Sequence, residues 1–142
     1  MANTLHHTKN SLAEKNRVDL VGMLNISLAS VSDLYAQLKH AHWNVKGLQF
    51  IALHKLFDEQ AEELEEQIDT IAERATALGG TALGTIQDVL ANTQLKAFPA
   101  NVCEAKLVLD HLAHNFAILG EFARKNIYEA EKHGDVATGD IY

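Results

Sequence analysis

The chain has 142 residues, enough for one domain, and its 47% apolar residues can form a substantial core. A formal net charge of −7 disfavours nucleic acid as a partner of the bulk surface and suits a protein that gathers cations. No apolar run approaches the ~20 residues of a membrane span, no hydrophobic signal core is present, and the single cysteine, Cys103, favours a reducing cytoplasm.

The first ten residues are predicted to be a flexible tail, followed by one domain over residues 11–142. His6 and His7 in this tail are able to bind a metal ion, but two histidines in a disordered segment usually have no such role. Their function is left open.

The first helix is predicted to begin near Ser11, because Ser11 and Glu14 have the spacing of a capping box. His42 lies on the same helical face, and Gly47 is predicted to end the helix after it. Its apolar residues recur at helical spacing: Leu20, Leu24, Leu28, Val31, Tyr35 and Leu38.

The second helix is predicted over Phe50–Leu78, ending at Gly79 and Gly80. A short connection returns it antiparallel to the first helix, which lets His42 approach His54 across the turn. Its predicted apolar face consists of Leu53, Leu56, Phe57, Ala61, Leu64, Ile68, Ile71 and Ala75.

Five side chains suited to hard metal ions lie in this region at helical spacings: His42, His54, Asp58, Asp69 and Glu73. His54 lies four residues before Asp58, so the two share a helix face and can hold one ion. Asp69 lies four residues before Glu73 and forms a second such pair. Asp58 and Asp69 are about 16 Å apart along the helix, too far for metal–ligand bonds of about 2 Å. Two antiparallel copies, related by a two-fold axis near Glu63–Leu64, would unite the pairs in two identical sites.

A long connection over residues 81–100 is predicted to contain a short helix at Thr85–Leu90, and Pro99 marks its end. The apolar face of this short helix consists of Ile86, Val89 and Leu90. Arg74, which precedes this connection, is predicted to form an ion pair at the surface or in an interface.

The third helix is predicted from about Asn101 to His133. His111 and His114 are three residues apart, but no carboxylate completes a metal site, so surface or hydrogen-bonding roles are favoured. No Glu-x-x-His motif occurs, and its absence argues against a metal site inside a single bundle. The predicted apolar stripe is Val102, Leu109, Leu112, Phe116, Leu119, Ala123, Ile127 and Ala130.

Asp135 has the position of an N-cap for a fourth helix, of which the chain contains only a turn or two. Three long helices and a stub would leave apolar faces of the first and third helices uncovered. Either the chain is a fragment, or another element fills that groove.

Three motifs, HWNVKG, LHKLFDE and DTIAERA followed by LGG, resemble the signature of the Dps family, the mini-ferritins, over about Ser11–Tyr142. The resemblance implies an all-α, ferritin-like four-helix bundle with a short helix in the long crossover, its fourth helix cut short in this chain. The short helix is expected to help build the dimer interface.

The family's ferroxidase centre lies between two-fold-related subunits. The resemblance assigns to it the five residues named above, three from one chain and Asp69 and Glu73 from its partner. Trp43 matches a nearby electron donor, and Asp135 and Asp140 match the family's three-fold iron entrance.

The implied function is that of a ferroxidase: Fe(II) is oxidised, preferably by hydrogen peroxide, and Fe(III) mineral is stored in a shell of twelve subunits. Imidazole and carboxylate ligands suit iron, and also zinc or manganese. One alternative is a DNA-condensing protein associated with the nucleoid, because some Dps proteins bind DNA through lysine-rich tails. This tail, with Lys9 and few other cations, matches those poorly. Another alternative is a helical interaction module without a metal site.

Overall fold

The computed structural model describes residues 5–142, in which three long helices dominate and no strand occurs. The helices are α1 (Glu14–Asn44), α2 (Phe50–Ala77), α3 (Ile86–Asn92), α4 (Ala105–Lys132) and α5 (Val136–Gly139). The all-α prediction is therefore confirmed, including the short helix in the crossover and the stub at the C-terminus. Over residues 5–142, none of these helices has both the length and the hydropathy needed to cross a membrane.

Helix α1 is the central helix, since it packs against α2, α3 and α4. The predicted apolar stripe is buried along its length, except that Tyr35 is half-buried. The predicted capping box is wrong: α1 begins at Glu14 with Ala13 as its N-cap, and no side chain caps it. Instead, the side-chain oxygen of Asn10 accepts a hydrogen bond from the Leu12 amide, which forms a local turn before the helix.

The N-terminal segment 5–10 contacts the end of α2, where a flexible tail was expected. The His6 amide donates to the Gly79 carbonyl at 2.7 Å, and Leu5 packs against the core. Beside them, the buried Arg17 guanidinium donates to the Leu78 carbonyl at 2.9 Å. That carbonyl belongs to the C-terminus of a helix, where a positive charge is favourable. The remainder of the predicted tail, residues 1–4, lies outside the described residues.

Helix α2 has nearly the predicted bounds, because Gly79 follows it with φ +88°, a left-handed conformation that favours glycine. Leu56 was wrongly placed on the apolar face and is 41% exposed. The buried face consists of Leu53, Phe57, Ala61, Leu64, Ile71 and Ala75.

Gly80 lies where the chain beyond the α2 C-terminus packs tightly against α1. A Cβ at this position would overlap both methyl groups of Val21 and lie 3.0 Å from the Ala75 carbonyl oxygen. We therefore expect Gly80→Ala to destabilise the fold by about 1–3 kcal/mol, the usual range for overpacking. Gly84→Ala is the matched control, because its Cβ would meet only Leu28 at 4.0 Å. Chemical denaturation should show a lower midpoint for Gly80→Ala alone; equal midpoints would contradict the assigned contact.

Helix α3 has the predicted position and a capping box between Thr85 and Asp88. Helix α4 begins at Ala105, four residues later than predicted, with Glu104 as its N-cap. The cause is a long-range contact: the Lys46 amide donates to the Cys103 carbonyl at 2.8 Å, and Glu104 beside it has an extended conformation. Leu109, predicted in the apolar stripe of α4, is 39% exposed.

A polar cluster fastens the crossover to α1 and α4. The Asn115 amide donates to the Gln37 side-chain oxygen and to the Lys96 carbonyl, both at 2.9 Å. His111 Nε2 lies 2.8 Å from the same Gln37 oxygen, which confirms the predicted hydrogen-bonding role. Burial, and then the nearby His114, lower the pKa of His111, so the imidazole is neutral at pH 7.

A cleft of about 280 Å³ lies between the apolar faces of α1, α2 and α4, beside the last residues of the chain. Leu64, Ile71 and Phe116 line it, and Tyr142 closes one end through a 2.7 Å hydrogen bond with Ser27. The apolar surface predicted to be uncovered between the first and third helices is therefore present, and it also includes α2.

Candidate metal centre

The candidate site lies where α1 ends and α2 begins. The connecting turn contains Gly47 with φ +121°, so backbone conformation rather than lack of space favours glycine there. The turn returns α2 antiparallel to α1. His42 in the last turn of α1 therefore faces His54 near the start of α2.

The two histidines are held by a reciprocal pair of hydrogen bonds. His42 Nδ1 lies 2.7 Å from the His54 carbonyl oxygen, and His54 Nδ1 lies 2.9 Å from the His42 carbonyl oxygen. The rings stack with centroids 3.7 Å apart and planes 18° apart. The His42 carbonyl belongs to the last turn of α1, whose carbonyls lack intrahelical partners. Each imidazole thus orients against the backbone of the opposite helix.

These bonds determine which ring nitrogen is available to a metal ion. A carbonyl oxygen only accepts, so each Nδ1 must carry the proton and donate. In the neutral imidazole the lone pair then lies on Nε2. Metal-binding histidines are typically oriented in this way, with the other nitrogen donating to a backbone carbonyl or a carboxylate. His42 and His54 fit a site that coordinates through Nε2.

Asp58 supplies a carboxylate one turn beyond His54. One of its oxygens lies 3.9 Å from His42 Nδ1 and 2.5 Å from Lys39 Nζ. The hydrogen bond from Lys39 is the largest cause that lowers the pKa of Asp58, and the positive charge of Lys39 adds to it. The carboxylate is therefore ionised at neutral pH, as a metal ligand must be.

Asp69 and Glu73 are exposed in the C-terminal half of α2. Within one chain these two residues lie far from His54 and Asp58. This separation is the one expected from their spacing along the helix. Over residues 5–142, no three His, Cys, Asp or Glu side chains of a single chain come together to hold a metal ion.

Exposed apolar side chains surround the ligand-bearing turn. Trp43 is 68% exposed and Ile51 is 62% exposed, while Phe50 lies with its ring centroid 5.0 Å from that of His54. An apolar surface of this kind usually marks an interaction site.

Sequence reasoning missed Lys39 and Phe50 as neighbours of the site. A usable signal exists for the lysine. Lys39 precedes His42 by one helical turn, and Asp58 follows His54 by one turn. If the two histidines face each other across an antiparallel pair of helices, the lysine and the aspartate must also face each other.

The two aspartates predicted at an iron entrance differ in their surroundings. Asp135 is 4% exposed; it caps α5 at Thr138, and its oxygens lie 2.6 and 2.8 Å from an Arg74 nitrogen. Arg74 thus forms an ion pair as predicted, but its partner carboxylate is buried within the same chain rather than at the surface or in an interface. Asp140 is exposed. The three-fold iron entrance remains a prediction. Because the Asp135 carboxylate is paired with Arg74, the prediction now depends on the exposed Asp140.

Comparison with known proteins gives consistent matches along the chain. Residues 21–142 match the model of the ferritin-like domain family. A "DNA protection during starvation protein" of Agrobacterium fabrum is 44% identical over 137 residues, which cover 96% of this chain and 85% of that protein.

Solved structures agree with the sequence matches. DpsA14 from Streptomyces coelicolor superposes with a TM-score of 0.92 at 33% identity, covering 99% of this chain and 83% of that chain. A Dps protein from Vibrio cholerae, described as a member of a broad superfamily of ferritin-like diiron-carboxylate proteins, superposes with a TM-score of 0.90 at 26% identity. That match covers 98% of this chain and 87% of the other.

Proposed function

Since this chain belongs to the Dps proteins of the ferritin-like family, we propose that it oxidises Fe(II) at centres shared between two subunits and stores the Fe(III) product. The observation that carries this proposal is the reciprocal bonding of His42 and His54, which leaves the Nε2 lone pair of each ring available to a metal ion. A plain helical interaction module gives these two Nε2 lone pairs no role.

The ligand set consists of His42, His54 and Asp58 of one chain with Asp69 and Glu73 of its two-fold partner. Imidazole nitrogen and carboxylate oxygen suit Fe(II), and they also bind Zn(II) and Mn(II). Three carboxylates stabilise the higher charge of Fe(III), so the site favours loss of an electron from the bound ion.

Iron supplies the redox chemistry, and hydrogen peroxide is the proposed oxidant. Each Fe(II) gives up one electron and peroxide accepts two, so two Fe(II) are consumed for each peroxide. With water as the source of the remaining oxygen, two FeOOH units and four protons are formed. Trp43 is the proposed electron donor near the site. Because two Fe(II) ions react with each peroxide, one-electron reduction of peroxide, which would release a hydroxyl radical, is avoided.

The storage part of the proposal is a shell of twelve subunits, with its dimers closed over the exposed apolar residues around Trp43 and on α3. Ile86 and Leu90 of α3 are 82% and 80% exposed, which is consistent with burial against a partner subunit. A closed shell gives the Fe(III) mineral an interior separated from the solvent.

We propose that this protein protects DNA by removing Fe(II) and peroxide rather than by condensing DNA. The Agrobacterium relative is named for DNA protection, but a net charge of −7 opposes phosphate binding by the bulk surface. A cytoplasmic location, with nucleoid association as the alternative, follows from the same family. Binding to DNA that weakens steeply with salt would favour the alternative.

The test compares anaerobic Fe(II) oxidation by stoichiometric peroxide in wild type and in His54→Ala/Asp58→Ala. Loss of even one supporting group of a metal ligand costs about 10–100-fold, so we expect a decrease of at least about 100-fold. Asp110→Ala/His114→Ala is the matched control, because it removes the same residue types at the same spacing from the exposed face of α4. Particle mass is recorded alongside. Equal slow rates in all three proteins would refute the ferroxidase proposal.

A further inference from the structure

Lys39 forms an ion pair with Asp58, the carboxylate proposed as a metal ligand. Its ammonium lies 2.5 Å from an Asp58 oxygen, and the pair is partly buried, with 26% of the Lys39 and 41% of the Asp58 side chain exposed. Lys39 projects from α1 one turn before His42. The cation therefore lies at the edge of the proposed ligand set rather than on the open surface.

This position puts the lysine in competition with Fe(II). An ion bound by Asp58 would lie within a few ångströms of the ammonium, and like charges at that distance repel strongly where solvent is partly excluded. Metal binding by Asp58 therefore weakens the Lys39–Asp58 pair and favours movement of the ammonium away from the carboxylate. An ion pair with this exposure is weak enough to be displaced.

A second carboxylate is available to the displaced lysine. Glu62 lies one turn beyond Asp58 on α2 and is exposed. The hydrogen bond and charge of Asp58 are the main causes that raise the pKa of Lys39, and Tyr35 and then Glu62 make smaller contributions. The lysine stem is long and flexible, so its ammonium can move from one carboxylate to the next along the helix.

We propose that Lys39 is a competing counter-ion built into the site, which holds Asp58 in the metal-free protein and moves to Glu62 when Fe(II) binds. The lysine lowers the affinity of the half-site in one chain. An ion displaces it only where Asp69 and Glu73 of a partner add further ligands. Metal loading is in this way coupled to dimer assembly. The inference rests on the proposed function, because it requires Asp58 to be a metal ligand.

The experiment measures Zn(II) affinity by calorimetry, since Zn(II) uses the same ligands without being oxidised. Lys39→Gln and Lys39→Met should each bind Zn(II) about tenfold more tightly than wild type, because one positive charge is absent. Lys39→Arg keeps the charge and should bind no more tightly than wild type. Lys132→Met is the matched control; it removes a lysine paired with Glu129 at 2.6 Å at the far end of α4 and should change nothing.

A double-mutant cycle tests the movement to Glu62. Glu62→Gln should weaken Zn(II) binding in wild type, because the displaced lysine loses its new partner. The same substitution should have a much smaller effect in Lys39→Gln, where no ammonium has to move. A merely structural role for Lys39 would not produce this dependence.

Two failures are distinguishable. If Zn(II) binding to wild type is unaffected by Asp58→Asn, the metal centre itself is wrong. If binding requires Asp58 but Lys39→Gln and Lys39→Met leave the affinity unchanged or weaker, the counter-ion role is overturned and the centre stands. Loss of assembly in both lysine variants would assign Lys39 a structural role and would also overturn the inference.

Discussion

Mixing two inactive variants restores Fe(II) oxidation if the metal centre is shared between subunits. One variant lacks His54 and Asp58, and the other lacks Asp69 and Glu73. A mixed dimer then contains one complete centre and one centre without any of these ligands. Random pairing of equal amounts gives mixed dimers half of the time, so we expect about a quarter of the wild-type rate, from parents that are each reduced at least about 100-fold.

The subunits are separated in denaturant, mixed and returned to native buffer, and oxidation is followed by the absorbance of Fe(III). Each parent treated alone is the first control. The second is a mixture of either parent with a variant that lacks all four residues, which cannot form a complete centre. A mixture no faster than its parents, at native particle mass, would show that each chain uses only its own ligands.

Arg74→Met is expected to destabilise the protomer by about 2–3 kcal/mol at pH 7. Removing one partner of a buried ion pair costs about 3–5 kcal/mol, and Arg74 is 21% exposed, which reduces the effect. The substitution leaves the buried Asp135 carboxylate with Thr138 as its side-chain partner. The free energy of unfolding is measured at fixed protein concentration, because assembly also contributes to it.

The effect of Arg74→Met should depend on pH in one direction. Burial by itself raises the pKa of Asp135, but hydrogen bonds from Arg74 and Thr138 and the charge of Arg74 outweigh burial and lower it. A lowered pKa in the folded state stabilises the fold above the unfolded pKa of about 4, and this contribution is lost as pH falls further. The difference between wild type and Arg74→Met should shrink from pH 7 to pH 3.5. A difference independent of pH would mean that packing, not charge, dominates.

The long helices were predictable where local signals act alone. Helix α2 ends within a residue of its predicted end, because Gly79 adopts a positive φ that other residues rarely adopt. Helix α4 begins four residues later than predicted, because the hydrogen bond between Lys46 and Cys103 joins residues that are far apart in sequence. Local capping rules contain no information about such a contact.

The candidate site shows the same difference between local signals and contacts of residues that are far apart in sequence. Spacing along one helix identified the pairs His54/Asp58 and Asp69/Glu73, since helical geometry is fixed by the backbone. The tautomers of the histidines and the contact of Lys39 with Asp58 depend on how α1 and α2 align across the turn. That alignment follows from packing and from the conformation of Gly47, which a sequence pattern does not specify.

The reciprocal bonds between α1 and α2 have a practical meaning for redesign. Each imidazole is oriented by a main-chain carbonyl of the opposite helix, and a main-chain carbonyl is present whatever side chain that residue carries. Position 42 is therefore open to exchange for a softer ligand, such as cysteine, while His54 keeps its tautomer, and the reverse also holds. An engineer who wishes to change the metal preference of this centre can therefore vary one position while the other keeps its hydrogen bond to the main chain.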